Sequence, residues 1–456
     1  MSKRPPNILY LNTHDTGRVV GPMGAAARTP NFTALAADGV LFRNCHCAGP
    51  TCSPSRAALI TGMVPHSCGM LGLAHRGWSL NDPSWTLPSH LRQHGYATAA
   101  WNMPGNHCSS HLQGDKPTQA KLHGYDTFIP GSDIADACAW LESPPEQPFF
   151  LSVSWVLTHR IGRGFTVKPD AAQHDPRWTA PPAPLPDTPE TRADWAHFLC
   201  DIAEWDRQLG LVLAALEKSG RAQDTIVVVT TDHGPPFPTM KCNPTVHGTG
   251  VFLAMRGPGF TGGQAIDQLV SQIDLFPTLC AATGLPVPDR VQGVDLRPTL
   301  EGRPVRDHVT AEVTHHAAYE PWRAYRTSRH LYVRRFGERR QTVLPNCDSS
   351  PSRDVWLEGG LRQLQYQDEE LYDTLFDPQE RRNLAADPLY GAVVRDLRQR
   401  LDAWMHATND PLLNGPVPLP PHGVTTSVDG LNPDGAEVKY GGGVALVLPA
   451  EVKNGG

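Results

Sequence analysis

Two apolar runs without a charged residue constrain the fold of this chain more than any other feature. Asn7–Leu11 and Thr225–Thr230 are short, and the second run is rich in β-branched residues. Runs of this kind are typical of strands that are buried on both faces of a parallel sheet. Candidate strands and helices alternate through most of the remaining sequence, which places helices on both faces of such a sheet. The sequence therefore predicts an α/β fold with a mostly parallel sheet flanked by helices.

The pattern changes after about residue 310. Ala324–Thr327 and His330–Arg335 predict short antiparallel strands with one polar face, and a helix is predicted from about Leu389 to His406. From Asn414 onward the chain is rich in Pro and Gly, which predicts a poorly ordered tail or a wrap-around loop. We therefore predict a larger α/β domain over 1–310, a smaller antiparallel-sheet-plus-helix subdomain over 311–412, and a tail over 413–456.

The overall composition excludes some partners. The chain has 456 residues, a formal net charge of -6 and a pI near 6.4, which gives no reason to expect nucleic acid or an anionic membrane as a partner. The few residues before the first strand leave no space for the apolar part of a signal peptide, and no run reaches membrane-spanning length. We therefore expect a cytoplasmic protein whose cysteines are reduced thiols.

Each of the two buried strands ends in a pair of residues that can bind a metal ion. His14 and Asp15 follow the first run, and Asp232 and His233 follow the second. Because open α/β sheets form their sites at the carboxyl ends of the strands, the two pairs can converge on one cation although they are far apart in sequence. The two imidazoles favour manganese, zinc or iron over calcium, which prefers oxygen ligands.

A third motif carries the most specific signal. Cys52-Ser53-Pro54-Ser55-Arg56 is followed by a small-residue, helix-forming run, and this pattern resembles the signature of the sulfatases, a family within the alkaline-phosphatase-like superfamily. The resemblance implies that a maturation enzyme oxidises Cys52 to formylglycine, whose hydrate attacks sulfur as a covalent nucleophile. It also implies that Arg56 supports the nucleophile electrostatically, and that 1–310 is the catalytic domain.

The same resemblance implies roles for other residues. His14, Asp15, Asp232 and His233 correspond to the ligands of one divalent metal ion, which is calcium by family resemblance. The sulfate-binding and catalytic positions of the family correspond to Lys241, His159 and His107. Several stretches, including Asp232–Pro238 and Leu371–Pro411, are most similar to the heparan N-sulfatase branch, and within that branch His315 and His316 are candidate substrate contacts.

The chain departs from the family pattern at two functional positions. Sulfatases usually carry a lysine shortly before the residue that corresponds to His107, and the segment Trp101–His107 contains none. Losing a cation near developing charge costs transition-state stabilisation, so we expect Lys241 to take over much of this task. In addition, His14 stands where relatives carry a carboxylate.

We therefore expect a metal-dependent, formylglycine-dependent hydrolase of a sulfate ester or N-sulfate on a small molecule or saccharide. One alternative is a phosphonate monoester or phosphodiester hydrolase on the same scaffold. Another is a binding protein that has lost catalysis, which the missing lysine suggests. At the level of single residues, Lys241 is also compatible with a solvated surface group, and His107 and His159 with ordinary loop residues. Arg323 and Arg326 could bind an anionic substrate, but a charged strand face is the favoured interpretation of both.

Overall fold

The computed structural model describes residues 4–102, 115–131 and 133–433, and the backbone of 438–440 and 445–446. His107 lies outside the described residues. Within them, the strands are β1 Asn7–Thr13, β2 Val40–His46, β3 Ala97–Trp101, β4 Thr127–Ile129, β5 Phe149–Ser154, β6 Thr225–Thr231, β7 Gly250–Arg256, β8 Gln264–Ile266, β9 Val270–Ser271, β10 His308–His315, β11 Tyr319–Thr327, β12 His330–Arg335, β13 Glu369–Asp373, β14 Val424–Thr426, β15 Val438–Tyr440 and β16 Ala445–Leu446. The helices are α1 Pro30–Asp38, α2 Cys52–Thr61, α3 Pro65–Cys68, α4 Leu87–Gln93, α5 Lys116–Leu122, α6 Ile134–Glu142, α7 Pro189–Lys218, α8 Val246–Thr249, α9 Leu275–Thr283, α10 Pro351–Glu358 and α11 Gly391–Ala407.

The large sheet has nine strands in the order β4-β3-β5-β1-β6-β7-β2-β8, with β9 beside β2. The five strands from β4 to β6 are parallel, whereas β7 runs antiparallel to both of its neighbours. Strand β1 lies between β5 and β6, and its last residue, Thr13, pairs with Thr231 of β6. The predicted α/β class with a mostly parallel sheet is confirmed, and the carboxyl ends of β1 and β6 meet at one edge.

The core lies on both faces of this sheet. Because successive side chains of a strand point to opposite faces, β1 contributes Leu9 and Leu11 to one cluster and Ile8 and Tyr10 to the other. The first cluster is covered by α1, α6 and α7, and the second by α2, α4 and α9. This two-sided burial explains why the run that begins at Asn7 shows no polar alternation.

The apolar periodicity of Leu199, Ile202, Leu209, Val212 and Leu216 predicts a long amphipathic helix from Ala196 to Lys218, and the structure shows that this helix, α7, begins earlier, at Pro189. Thr188 caps the helix, and its side chain accepts a hydrogen bond from the backbone of Thr191 while Thr191 bonds back to the Thr188 backbone. Within the described residues, no helix combines the length and apolar character needed to cross a membrane.

The second sheet is antiparallel, in the order β10-β11-β12-β13, and helix α11 packs against it, which confirms the predicted antiparallel-sheet-plus-helix unit. The interpretation of Arg323 and Arg326 as an exposed charged face is wrong. Both side chains are buried, Arg323 against Asp410 and Arg326 against Glu380. Their partners come from distant parts of the sequence, which strand alternation alone does not reveal.

The segment after Asn414 wraps back onto the molecule as far as residue 433. Thr426 is buried, and its backbone N–H donates to the carbonyl oxygen of Ala317. Arg76 donates to the side chain of Thr426 and to the carbonyl oxygen of Pro433. Of the two predicted alternatives, the described part of this segment corresponds to the wrap-around loop.

Candidate active site

Cys52 is the first residue of α2, a helix in which every residue is buried. The Cys52 Sγ lies 3.4 Å from Nε2 of His233 and 4.0 Å from Oδ1 of Asp15. Burial raises the pKa of the Cys52 thiol far above its ordinary value, although Lys241 opposes the shift. Since the thiolate is the reactive form of cysteine, Cys52 in this state is not prepared to act as a thiolate nucleophile.

The ends of β1 and β6 bring the two ligand pairs together. Directly after β1, Asp15 adopts a left-handed backbone conformation with φ 47°, and its N–H donates to Oδ1 of Asp232 over 2.8 Å. The His14 Nδ1 lies 3.0 Å from Oδ1 of Asp15 and 3.2 Å from Oδ2 of Asp232. The His233 Nε2 lies 3.1 Å from Oδ1 of Asp15. These four residues and Cys52 each offer a donor atom, and the donor atoms all lie within 4.8 Å of one another.

The donor set of this cluster fits a cation. The His233 Nδ1 lies 2.9 Å from the carbonyl oxygen of Gly234, which only accepts, so Nδ1 carries a proton and Nε2 is the ring nitrogen available to a metal ion. Burial lowers the pKa of His14 to about 3, so its imidazole is neutral at physiological pH. The contacts of 3.0–3.2 Å between the donor atoms match neighbouring ligands at about 2.0–2.3 Å from a metal.

A second buried group of possible ligands already holds a cation of the protein itself. His66, Glu312 and Asp410 lie close together, but the Nε of Arg323 is 3.2 Å from Oε2 of Glu312 and donates to Asp410. This arginine is fully buried, and its guanidinium neutralises two of the carboxylates that a metal ion would need as ligands. The group is therefore a structural ion network that joins α3 to β10, β11 and the end of α11.

Arg56 lies on α2, one turn after Cys52. Its Nε donates to Oδ2 of Asp232 over 3.0 Å, and Nη2 lies 2.9 Å from the same oxygen. The hydroxyl of Ser55 donates to the backbone carbonyl of Asp232 over 2.5 Å. Burial opposes ionisation of Asp232, but His233 and Arg56 outweigh it and lower the pKa of this carboxyl to about 2. Helix α2 is thus fixed to the end of β6, and Asp232 stays charged.

A cavity of about 270 Å³ opens above Cys52. Its lining residues within the described chain are His14, Cys52, Ser53, Leu73, His75, Arg76, His159, Lys241, His316, Ala317, Asp348 and Pro433. The cavity therefore gathers side chains from both sheets and from the wrap-around loop.

Lys241 is a buried wall residue of the cavity, so its interpretation as a solvated surface group is wrong. Its Nζ donates to Oδ2 of Asp15 over 3.1 Å and lies 3.2 Å from Oδ2 of Asp348. Burial disfavours the ammonium, but Asp15 and Asp348 outweigh that effect and raise the pKa of Lys241 well above its ordinary value. In return, Lys241 overcomes the burial of Asp15 and holds the pKa of that carboxyl well below its usual range.

The predicted histidines separate into two groups. The His159 Nδ1 lies 2.9 Å from Oδ2 of Asp15, and its ring packs on His14 with centroids 4.3 Å apart. His316 lines the cavity, but His315 does not, because successive residues of an extended chain point in opposite directions. The His315 ring instead packs between Trp78 and Tyr319 and approaches the carbonyl of Val417.

Several wall residues were not predicted from the sequence. Asp348 comes from the turn before α10, and Arg76 from the loop after α3. Neither belongs to a recognisable motif, and each reaches the cavity only through tertiary packing. For Asp348 the one available signal was weak, an acidic residue in a polar turn of the C-terminal half.

Comparison with known proteins places this geometry in a family. The Sulfatase family model matches residues 6–285, which include Cys52 and both ligand pairs. The chain belongs to the sulfatase family. As a sulfatase it is a sulfuric ester hydrolase, and the family expectation from the cysteine motif is confirmed.

Two characterised sulfatases and one solved structure are similar over most of their length. N-sulphoglucosamine sulphohydrolase from Homo sapiens is 29% identical, with 91% of this chain and 92% of that protein covered. Delta 4,5-hexuronate-2-O-sulfatase from Bacteroides thetaiotaomicron is 28% identical, with 90% of each chain covered. The phosphonate monoester hydrolase of Agrobacterium radiobacter shares the fold of this sulfatase, with a TM-score of 0.65, 21% identity, and coverage of 90% of this chain and 97% of that one.

Proposed function

We propose that this sulfatase hydrolyses a sulfate ester or N-sulfate of a saccharide with a formylglycine derived from Cys52 and one divalent metal ion. The observation that carries the proposal is the convergence of Cys52 with two strand-end ligand pairs, whose donor atoms lie within 4.8 Å of one another. The cavity above this cluster has a volume of about 270 Å³, which suits a sulfated monosaccharide unit.

The state of Cys52 supports its conversion. Burial holds the unmodified Cys52 thiol in its unreactive form, so the nucleophile of this site has to be a modified form of the residue. The motif from Cys52 to Arg56, which the maturation enzyme reads, is complete. Formylglycine would supply a hydrated aldehyde, whose hydroxyl is the attacking group. The proposal requires a formylglycine-generating maturation enzyme as a partner.

The metal would be held by His14, Asp15, Asp232 and His233. When bound, it would polarise the sulfate oxygens and favour the deprotonated form of the attacking hydroxyl. The two imidazoles favour manganese, zinc or iron, while family resemblance suggests calcium. Arg56 fixes Asp232 and adds positive charge behind the nucleophile.

Three further residues have proposed roles around the sulfate. Lys241, a buried ammonium, would contact a sulfate oxygen and stabilise charge in place of the missing family lysine. His159 extends from Asp15 into the cavity and would donate to the sulfate. His107 is proposed from the sequence alone as the group that assists release of sulfate.

The choice of a saccharide substrate rests on the relatives. One is named for an N-sulfated glucosamine and another for a 2-O-sulfated hexuronate. His316 on the cavity wall is the candidate contact for the sugar. We propose the cytoplasm as the location, and retain the division into 1–310, 311–412 and 413–456, although β10 already begins at His308.

A second candidate is phosphonate monoester or phosphodiester hydrolysis. The structural similarity to the phosphonate monoester hydrolase favours it, because both substrates present a tetrahedral anion to a cationic site. The alternative of a binding protein without catalysis is disfavoured, because the cysteine motif, the ligand pairs and a buried lysine are all present.

The test uses protein produced with a formylglycine-generating enzyme and reconstituted with each candidate metal. It is assayed with N-sulfoglucosamine, O-sulfated hexoses, an aryl sulfate, an aryl phosphonate monoester and a phosphodiester. Faster turnover of sulfated saccharides supports the proposal. Faster turnover of the phosphonate by the same preparation would replace it with the second candidate, and saccharide binding without any turnover would support the binding protein.

A further inference from the structure

The cavity above Cys52 has one feature that sulfate binding does not explain. Among the described residues that line it, Asp348 is the only one with a carboxylate. Lys241 and Arg76 are cationic, and burial holds His14 and His316 in their neutral forms by lowering both pKa values. A carboxylate accepts hydrogen bonds and repels anions, so it is the wrong group to contact a sulfate oxygen.

Asp348 lies close to the reacting centre. Its Oδ2 is 3.2 Å from the Nζ of Lys241, which in turn donates to Oδ2 of Asp15 over 3.1 Å. A sulfate oxygen bound by this ammonium would lie about 3 Å from it. Groups on the carbon atoms next to the sulfated position of a sugar would therefore be within reach of Asp348.

The carboxylate also has capacity left to bind a ligand. The Oδ2 of Asp348 is buried beside the ammonium of Lys241, but the Asp348 side chain is 19% exposed, so the rest of the carboxylate faces the cavity. On the same wall, Nδ1 of His316 is buried and has no hydrogen-bond partner within the described chain. Buried polar atoms are normally paired, so the unpaired Nδ1 of His316 on the same wall as Asp348 indicates a polar ligand.

We propose that Asp348 is a substrate-contacting residue that selects sulfated sugars with a hydrogen-bond donor, a hydroxyl or an ammonium, next to the sulfated position. The inference rests on the proposed function and names the substrate class of that site. It predicts that a second sulfate or a carboxylate at this neighbouring position is rejected, because this anion and the Asp348 carboxylate would face each other inside the cavity.

A different role would be purely indirect, with Asp348 only holding Lys241 in place. The two roles differ in what they do to substrates. Loss of a direct contact affects only substrates that carry the donor, whereas a displaced Lys241 weakens the hydrolysis of every sulfate to a similar degree.

The experiment compares matched pairs of substrates. The first pair is the methyl glycoside of N-sulfoglucosamine and its 3-deoxy analogue, and the second is methyl glucoside 2-sulfate and its 3-deoxy analogue. A third substrate, glucosamine 3-sulfate, carries an ammonium on C2, next to the sulfated C3, and so tests an ammonium as the neighbouring donor. Because a hydrogen bond to a charged group contributes about 1.5–3 kcal/mol, kcat/KM of the matured, metal-loaded protein should be about 10- to 100-fold higher for the substrate with the donor.

Asp348→Ala should reduce this preference to less than about 3-fold. Asp348→Asn should retain part of the preference for a hydroxyl and lose most of that for an ammonium, which identifies the donor. Asp354→Asn is the matched control, since Asp354 is an exposed carboxylate of α10 outside the cavity wall. The same substrates are titrated into the Cys52→Ala and Cys52→Ala/Asp348→Ala proteins. The ratio of the dissociation constants within each pair then measures the selectivity of binding without turnover.

Equal preference ratios in the wild type and Asp348→Ala proteins would overturn the inference, whether or not both rates fall. A wild-type protein without a preference for the substrate that carries the neighbouring donor would also overturn the inference. If that protein hydrolyses both members of the pair, the proposed function still stands. A wild type that turns over none of the sulfates would reject the proposed function, and the inference with it.

Discussion

Lys241 and Asp15 form a buried ion pair, with Nζ 3.1 Å from Oδ2, at the carboxyl end of the first strand. The pair connects two predicted functions, since Asp15 belongs to the candidate metal site and Lys241 to the candidate sulfate site. Each residue stabilises the charged form of the other in a buried environment, so the candidate metal site and the candidate sulfate site are electrostatically coupled.

The pair predicts the effect of removing the lysine. Lys241→Ala should lower kcat and kcat/KM together by about 100-fold, because it removes a charge aimed at the transition state. Steady-state kinetics on the best substrate measure this. Lys218→Ala is the control, since this lysine is exposed and pairs with Glu142 at the surface. An unchanged kcat in Lys241→Ala would assign the task of the missing lysine to another residue.

The nucleophile can be tested by mass and by rate. Protein produced with the maturation enzyme should show the thiol-to-aldehyde mass difference in the peptide that contains Cys52. Cys52→Ala should abolish turnover and leave the circular dichroism spectrum unchanged, while Cys280→Ala, at a buried cysteine in α9, should retain turnover. Full activity of Cys52→Ala would refute covalent catalysis at this position.

Metal content should depend on both strand ends. His233→Ala and Asp232→Ala should each lower the affinity for the metal by 10-fold or more. The loss is measured as a lower metal content, by elemental analysis after gel filtration. His66→Ala should leave metal content unchanged, because Arg323 already occupies that group. The prediction is contradicted if His66→Ala loses metal and His233→Ala does not.

The ion network around Arg323 should matter for stability. Asp410→Ala leaves a fully buried guanidinium with one partner fewer, so we expect it to lower the free energy of unfolding by about 3–5 kcal/mol. Chemical denaturation measures this value. Glu301→Ala removes an exposed pair with Arg303 and should change stability by less than about 1 kcal/mol. Equal effects of the two substitutions would show that burial of the network contributes little.

Glu320 should make stability depend on pH. Burial raises its pKa from 4.5 to about 7, although Arg335 and Asn346 favour the charged form. The folded chain therefore keeps this proton between about pH 4.5 and 7, where the unfolded chain has lost it, so stability falls as pH rises through this window. The thermal midpoints of Glu320→Gln at pH 5 and pH 8 should differ less than those of the wild type. An identical difference in both proteins would exclude Glu320 as the cause.

The sequence predicted the parts of the site that are local. The apolar runs that become β1 and β6 are buried on both faces, and that pattern is visible in a single segment. Parallel pairing then brings Asp15 and Asp232 together by a general rule of α/β sheets. The start of α7 at Pro189 also has a local sequence signal, because a threonine followed by a proline precedes the helix, as Thr29 and Pro30 do at α1.

The remaining features depend on contacts between distant segments. Asp348 and Lys241 are more than a hundred residues apart, and Arg323 and Asp410 are 87 residues apart. An arginine on a strand has the same appearance in sequence whether it faces water or a buried carboxylate. Which of the two histidines, His315 or His316, faces the cavity depends on where β10 ends, which the sequence leaves uncertain by a residue or more.

The burial of α2 has a consequence for the order in which the chain folds and Cys52 is oxidised. In the folded protein only 8% of Cys52 is exposed, and the wall opposite to it includes Pro433, which is synthesised hundreds of residues later. The proposed maturation enzyme has to contact the residues from Cys52 to Arg56, and every one of these residues is buried in the folded protein. We therefore expect oxidation of Cys52 to be possible only during a limited time, while the nascent chain is still open, and protein that folds first to remain permanently inactive.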